Sequence, residues 1–561
     1  MNHAITKTER VEALNFALNT FSHKNVLLHD HEINLGADKS LCLKLGYVVL
    51  TSSSSLDELN LIGKCLLQIY QCSSEQRNRS FRSIGATELF PLLIHVLGAG
   101  VSSTYPELSK QQETVVATMV QVLRVYSKLD SAKSFLIRLN KAHWLGDVLQ
   151  YCVKSIRGRA NEEVSLLCLD LLGLVKDLTF RSSTSDKMVV LSVKNGIFGG
   201  LLATICEAGQ KIDSRVVEWF TAVVWNLVLD KATGDQIMES ERVHGFPILN
   251  QILSTLRSSP TDARNQCLPT KIKRNATSCI GNILAHKDYQ EILFFEANRQ
   301  KLPILSILMK LVESDCDSVV RRRAMRTIRC VASDESNVEA LLEQEELAEF
   351  LVETISRNIS IDDEDNRDTQ IQACQTINCV VNYLSGGDWP RIEMALLQRV
   401  ETTTDEKLIQ AACSCLAECI KNSPWRRGSS CFSEMFWTRL EAAVSSSVET
   451  HCSIACLLLR LAELEKKSTD ENSQMQPSSL TSAPVVNTLT ALIASLDKDQ
   501  EESRKLALNA LALLVENEAN KRPLAGNESL LAGLVNLCLS EPNKESKAQA
   551  KQAILDLVPE L

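Results

Sequence analysis

The sequence contains little glycine and proline, with 21 and 13 of these residues among 561. Average proteins contain about 7% glycine and about 5% proline, so the chain has roughly half of the usual supply. Aromatic residues are also scarce, at 5%. Folds with many tight turns, such as β-sandwiches and β-barrels, need glycine and proline repeatedly. This composition therefore argues against a β-rich fold and favours stacked helices.

An excess of positive charge is also missing. The chain has 60 basic and 69 acidic residues, which gives a formal net charge of −9. A protein that binds nucleic acid through its whole surface needs a basic footprint to neutralise phosphates. We therefore expect no bulk nucleic-acid binding, although a local basic patch stays open.

Long apolar segments and known catalytic motifs are absent as well. No uncharged apolar run reaches about 18 residues, and the first ten residues lack the apolar core of a signal peptide. The sequence has no P-loop, no dinucleotide-binding glycine motif, no nucleophile elbow and no His-Glu-x-x-His motif. We expect neither a membrane span nor a secretory signal. We also expect no catalytic residues, metal or cofactor, and therefore a protein that is not an enzyme.

Cysteine is plentiful, with 19 residues, but the number is odd and no Cys-x-x-Cys occurs. This usage is typical of reduced thiols that act as small apolar side chains. It predicts a cytoplasmic protein, with entry into the nucleus left open. The densest group is Cys413, Cys415 and Cys419. Because no second pair or nearby histidine completes four zinc ligands, core packing is favoured over a metal site.

The strongest positive signal is a phrase that occurs seven times. An alanine is followed four residues later by Ile or Leu, and seven residues later by another apolar residue. These three positions share one face of an α-helix, and the alanine allows a neighbouring helix to approach closely. The phrases are Ala276/Ile280/Ile283, Ala324/Ile328/Val331, Ala373/Ile377/Val380, Ala412/Leu416/Cys419, Ala455/Leu459/Ala462, Ala507/Leu511/Leu514 and Ala550/Ile554/Leu557.

Successive alanines of this phrase are 39 to 52 residues apart, and a second apolar segment precedes most copies. Armadillo and HEAT units are about 40–47 residues long and contain two or three helices. The pattern predicts an all-α, right-handed α-solenoid superhelix of about eleven armadillo/HEAT-like repeats. We expect diverged N-terminal repeats and a cap over 1–190 and armadillo-like repeats over 191–467. A Ser/Pro-rich loop over 468–484 and C-terminal repeats with a cap over 485–561 would complete a continuous solenoid.

One segment carries a closer resemblance. The residues Arg274-Asn275-Ala276-Thr277-Ser278-Cys279-Ile280-Gly281-Asn282-Ile283-Leu284 resemble the third helix of an armadillo repeat. In that family, the asparagine at this position lies on the inner face of the superhelix and binds the backbone of an extended peptide. The resemblance implies this role for Asn282 and, through the looser match at 222–227, for Asn226. The other copies lack this asparagine, and the repeated Trp-x-x-x-Asn pattern of nuclear-import adaptors is absent.

Arginines cluster in the segment Arg321–Arg329. On a helix, Arg322 and Arg326 lie opposite the face of Ala324, and Arg274 has the same register one unit earlier. If that face is concave, these side chains suit an acidic or phosphorylated segment of a partner. The alternative is a solvated face that is neutralised by the acidic residues of 313–317.

The sequence therefore predicts a protein-protein interaction scaffold or adaptor that binds a partner segment on the concave face. Two alternatives stay open. Helical-repeat proteins also act as exchange factors or chaperones for small GTPases or G-protein subunits, which requires no catalytic motif. A nuclear transport adaptor is a further alternative, although the missing Trp/Asn ladder weighs against it. The partner and the oligomeric state are not specified.

Overall fold

The computed structural model forms two compact units, Met1–Ile283 and Leu284–Leu561. It describes Asn60, Leu61, Gly63, Lys64, Leu67 and most of 110–560. The gaps are 129, 140–142, 159–165, 193–196, 209–211, 245–246, 258–269, 292–303, 316, 343–345, 358–362, 385–387, 423–431, 472–477 and 496–497. Most of the first 109 residues, which were predicted to form diverged repeats, lie outside the described residues.

All regular secondary structure in the described residues is helical. The helices of the first unit are α1 (Lys110–Tyr126), α2 (Asp130–Arg138), α3 (His143–Gly158), α4 (Leu166–Thr179), α5 (Thr184–Ser192), α6 (Ile197–Ala208), α7 (Ser214–Val228), α8 (Lys231–His244), α9 (Pro247–Arg257) and α10 (Thr270–Leu284). The fold class is therefore all-α, as predicted.

The second unit continues the same order. Its helices are α11 (Lys287–Glu291), α12 (Ile304–Ser314), α13 (Ser318–Ala332), α14 (Glu335–Leu342), α15 (Leu347–Ser356), α16 (Glu364–Val380), α17 (Trp389–Thr402), α18 (Glu406–Asn422), α19 (Glu434–Ser446), α20 (His451–Glu471), α21 (Ala483–Ala494), α22 (Glu501–Val515), α23 (Glu518–Ala525), α24 (Glu528–Ser540) and α25 (Lys544–Leu557). Short 3-10 turns occur at Val381–Tyr383, Val448–Thr450, Ser479–Thr481, Lys498–Gln500 and Val558–Glu560.

The helices repeat as a short first helix, or a 3-10 turn in its place, followed by a second and a third helix. Second helices pack on second helices of the next repeat, as in the series α15, α17, α19, α21 and α24. Third helices form a parallel series, α13, α16, α18, α20, α22 and α25. Each unit is therefore a two-layered solenoid whose core lies between the layers.

The seven alanine phrases all lie on third helices, and each of the seven alanines is fully buried. Most partners at the fourth and seventh following positions are also buried, whereas Leu459 and Ile554 are half-buried. Because alanine has only a methyl group, a neighbouring helix can approach closely at this position. The phrase thus identifies the face of each third helix that is buried in the core.

Polar side chains define the start of several third helices. Asp317, Asp363 and Asp405 each accept a hydrogen bond from the backbone N–H three residues later, at 3.0, 3.1 and 2.9 Å. These N-caps satisfy one of the four free N–H groups at each helix start. The acidic residues Asp363, Glu364 and Asp365 thus form the N-cap and first turn of α16.

Side chains of the third helices donate hydrogen bonds to free carbonyl groups at the C-terminal ends of second helices. The side chain three residues before the core alanine donates to carbonyl groups at the C-terminal end of the second helix in the same repeat. Arg321 donates to the Asp315 carbonyl after α12, Gln370 to the Ile355 carbonyl of α15 at 2.8 Å, and Arg504 to the Ser495 carbonyl after α21. A polar side chain at this register therefore holds the two main helices of a repeat together.

Segment boundaries differ from those suggested by the sequence. The two units divide between residues 283 and 284, within the segment 191–467 that was predicted to contain armadillo-like repeats. The predicted Ser/Pro-rich loop over 468–484 is shorter, because α20 runs to Glu471 and α21 begins at Ala483. The glutamates and lysines near the end of α20 are good helix formers and extend it beyond its apolar face.

No single helix in the described part of the chain is long and apolar enough to cross a membrane. Helices α5 and α6 reach the length and apolar composition of a membrane span only when they are taken together, and they are bent by 73° relative to each other.

Candidate functional site

The five residues predicted to bind a partner are divided between the two units. Asn226, Arg274 and Asn282 belong to α7 and α10 of the first unit, and Arg322 and Arg326 belong to α13 of the second. All five lie on third helices. Their surroundings differ strongly.

Asn226 is buried, with 3% of its surface exposed. Its Nδ2 donates to the Lys176 carbonyl at 3.4 Å and to Thr179 Oγ1 at 3.3 Å, both at the C-terminal end of α4. This amide therefore links two successive third helices. The resemblance suggested that it binds a peptide backbone, but the structure directs it into the protein instead.

Asn282 and Arg274 lie on α10, and both are half-buried. The Asn282 Nδ2 atom is shielded from water and has no hydrogen-bond acceptor among the described residues. Nearby on α10, Lys271 forms an ion pair with Glu218 of α7 at 2.5 Å. Of the two predicted asparagines, Asn282 is the one whose amide remains without a partner in the described part of the chain.

The arginines of α13 are used in different ways. Arg322 Nη1 lies 2.8 Å from Asp365 Oδ1 and 3.4 Å from Asp368 Oδ2, at the start of α16. Arg329 donates to Gln372 Oε1 of α16 at 2.9 Å, and Arg321 donates to Asn366 Oδ1 at 3.0 Å. These three side chains therefore join α13 to the next third helix.

The acids that pair with Arg322 differ from those considered in the sequence. The segment 313–317 precedes α13 and was the expected source of neutralisation. The carboxylates that meet Arg322 instead come from the following repeat, more than forty positions later in the chain. The regular stacking of repeats brings the first turn of α16 beside that of α13.

Arg326 is the exception among the residues of this cluster. It is exposed, and it forms no hydrogen bond or ion pair with the described residues. Its position two residues after the core alanine directs it away from the core. A guanidinium group in this state retains five N–H donors and a full positive charge for an external ligand.

Two amide side chains of α16 occupy the equivalent positions on the neighbouring helix. Gln375 has the register of Arg326, and Asn378 has the register of Arg329. Their oxygens, Gln375 Oε1 and Asn378 Oδ1, are shielded from water and receive no hydrogen bond from the described residues. We call Arg326, Arg329, Gln375 and Asn378 the third-helix patch. The sequence argument missed both amides, because neither falls at the family's asparagine position.

Thiols border this patch without forming a metal site. Burial raises the pKa of the Cys379 thiol, and the positive charge of Arg329 acts in the opposite direction. Cys413, Cys415 and Cys419 are fully buried among apolar side chains, in the core position expected for them. The described residues contain no group of three or more His, Cys, Asp or Glu side chains that could hold a metal ion.

No protein-family model and no curated protein sequence matches the chain. Among solved structures, an engineered protein is similar at a TM-score of 0.52, with 14% identity over 92% of this chain and 98% of that chain. A structure described as "A conserved phosphorylation switch controls the interaction between cadherin and beta-catenin in vitro and in vivo" is similar at 0.50, with 12% identity over 99% and 98% of the two chains. A computationally designed armadillo repeat protein for modular peptide recognition has a TM-score of 0.36, with 14% identity over 51% and 98% of the two chains.

These likenesses concern the fold. The chain has the all-α solenoid fold that the repeat phrase predicted.

Proposed function

We propose that the protein is a non-catalytic interaction scaffold that binds an extended, acidic or phosphorylated segment of a partner protein at the third-helix patch. The observation that carries this proposal is the state of Arg326. It is exposed and has no partner among the described residues, whereas Arg322 and Arg329 on the same helix are paired. The armadillo-type fold supports the general class, because helical-repeat arrays present extended binding surfaces.

The chemistry of the patch supports this kind of ligand. Arg326 can form a bidentate pair with a carboxylate or phosphate. Each hydrogen bond between such charged groups is about twice as strong as one between neutral groups. The half-buried side chains of Gln375 and Asn378 form the neighbouring part of the patch, but their amide oxygens are shielded from water, so Arg326 is the group that a ligand would meet first.

The test uses three fluorescent peptides of the same length, with glutamate, phosphoserine or lysine at alternate positions. We expect the full chain to bind the acidic and phosphorylated peptides and to discriminate against the lysine peptide. Arg326→Glu should weaken binding of the phosphorylated peptide by about tenfold, because a charge-assisted pair becomes a repulsive contact.

Lys310→Glu provides a matched control. Lys310 is exposed on α12, the second helix of the same repeat, so this variant makes the same change of net charge on another surface. Equal losses of affinity in the two variants would show that only the overall charge matters and would reject the third-helix patch. Unchanged affinity in Arg326→Glu would reject it as well.

A further inference from the structure

The last described repeat exposes a group of apolar side chains. Leu539 is 77% exposed and Val535 is 45% exposed, both on α24, and they continue a row that includes the half-buried Leu531 and Cys538. Leu555 of α25 and Val558, directly after this helix, are 55% and 49% exposed. We call these six residues the terminal face. Four of the twelve large apolar side chains that are exposed in the described structure belong to it.

Comparison with the preceding repeat shows what covers this position elsewhere. Helices α21 and α24 start after the caps Ser482 and Asn527, which places equivalent positions 45 residues apart. Leu531 and Cys538 then correspond to Val486 and Ile493, which are 2% and 0% exposed. In the interior of the array, the second helix of the next repeat packs against this row.

The outer edge of the row differs from interior repeats in its chemistry. Val535 and Leu539 correspond to Thr490 and Ala494 of α21, and Gly533 of α24 packs against Ala494. The interior repeat thus has a hydroxyl and a methyl group where α24 has two larger apolar groups. Large apolar side chains that are exposed next to one another are typical of a contact surface.

Two lysines form the other border of the terminal face. Lys547 and Lys551 of α25 are exposed and have no partner among the described residues. The carbonyl oxygen of Lys547 lies 4.0 Å from Cys538 Sγ, which places this border directly beside the apolar row. The row and the lysines therefore belong to one continuous surface.

The position of Lys547 in the repeat indicates which charge a ligand of the terminal face would carry. Lys547 lies three residues before Ala550, as Arg504 lies three residues before Ala507. Arg504 Nη2 lies 2.9 Å from Glu541 Oε2, and Glu541 follows the C-terminal end of α24, the second helix of the next repeat. A helix seated on the terminal face in the same way would bring its C-terminal end to Lys547.

We propose that the terminal face binds an amphipathic helix of a partner protein, with an apolar stripe and a carboxylate at its C-terminal end. The stripe would cover Val535, Leu539 and Leu555, and the carboxylate would pair with Lys547. This surface is separate from Arg326 in sequence and in helix, so the proposal does not depend on the proposed function.

The experiment measures binding of designed 18-residue helical peptides to the full chain by fluorescence anisotropy. Each peptide carries leucines four and three residues apart, and its C-terminal turn contains either glutamate or lysine. We expect the glutamate peptide to bind at least tenfold more tightly than a version with scrambled leucines. Leu539→Asp should abolish that difference, and Lys547→Glu should reverse the preference between the glutamate and lysine peptides.

Met394→Asp is the matched control, because Met394 is a 63% exposed apolar side chain on α17, a second helix in the interior of the unit. It should leave peptide binding unchanged, and circular dichroism should show native helix content in every variant. Equal binding of the glutamate and scrambled peptides would overturn the proposal. It would also be overturned if sedimentation velocity showed a dimer that Leu539→Asp dissociates, since a second copy would then occupy the face.

Discussion

The repeats that contain α13 and α22 use arginine at the same register with different results. Arg504 of α22 is buried, donates to the end of α21 and meets Glu541 from the next repeat. Arg321 of α13 also reaches the end of its second helix, but its next contact is an uncharged amide, and the helix carries further arginines. On α22 the charge of Arg504 is paired within the protein, whereas on α13 the guanidinium group of Arg326 has no partner among the described residues. The comparison separates arginines that hold repeats together from an arginine that is available for binding.

The largest effect is expected at the buried pair. Arg504→Met should lower the free energy of unfolding by about 3–5 kcal/mol, because it leaves Glu541 as an uncompensated buried charge. Urea denaturation of the full chain would measure the shift. Lys505→Met is the matched control, since the Lys505–Glu545 pair at 2.9 Å is largely exposed, and we expect little change there. A double variant, Arg504→Met with Glu541→Gln, should recover part of the loss, and no recovery would show that the two charges act independently.

Glu241 of α8 is a buried acidic residue at the N-terminal end of the second helix α9, whereas Arg504 contacts the C-terminal end of the second helix α21. Its carboxylate accepts from the backbone N–H groups of Ile248 and Leu249, at the start of α9, at 3.0 and 2.8 Å. Burial raises the pKa of Glu241 to about 7, although these two bonds and the charge of His244 act in the opposite direction.

Because the folded pKa is raised, the folded state binds the proton more strongly than the unfolded state. The contribution of the protonated Glu241 to the free energy of unfolding is fully present below the unfolded pKa of about 4.3. It is lost as the pH rises through the folded pKa of about 7. The shift corresponds to an effect on the order of 3 kcal/mol. Hydrogen exchange of α8 and α9 between pH 4.5 and 7.5 would measure it. Glu241→Gln should remove this pH dependence, and a variant with the same pH profile would assign it to other groups.

Arg322→Glu addresses a partly exposed pair of α13. The change removes the contacts with Asp365 and Asp368 and places three acidic side chains together. We expect a loss of about 1–2 kcal/mol in the free energy of unfolding, from a lost surface pair and added repulsion of similar size. Asp368→Arg in the same chain should restore part of the stability at low salt. Absence of any restoration would indicate that the pair has no energetic role.

The smallest effect on stability is expected at the residue with the largest proposed effect on binding. Arg326→Glu should change the free energy of unfolding by less than about 0.5 kcal/mol, which is usual for an exposed side chain without partners. Thermal unfolding of this variant beside Arg322→Glu would sharpen the comparison between the two arginines. A large destabilisation at Arg326 would mean that it belongs to the structural group.

The repeat phrase predicted the third helices well, because a buried alanine with apolar residues four and seven positions later leaves a periodic pattern in the sequence. The short first helices were harder to predict, since α5 and α14 have only nine and eight residues, too few to show a clear helical period. The two asparagines show a second limit. Asn226 and Asn282 have similar local sequences, yet the amide of Asn226 bonds to α4, whereas the Nδ2 of Asn282 has no acceptor in the described structure.

The sequence by itself determined the all-α repeat fold, the helix that carries each alanine phrase, and the face that each phrase buries. These properties depend on periodicity within a single helix. Only the tertiary structure decided which charges are available, because the partner of a side chain on one third helix comes from the next repeat. Arg322 meets Asp365 across such a step, Arg326 meets no described residue, and the terminal face is exposed because no described helix packs against it.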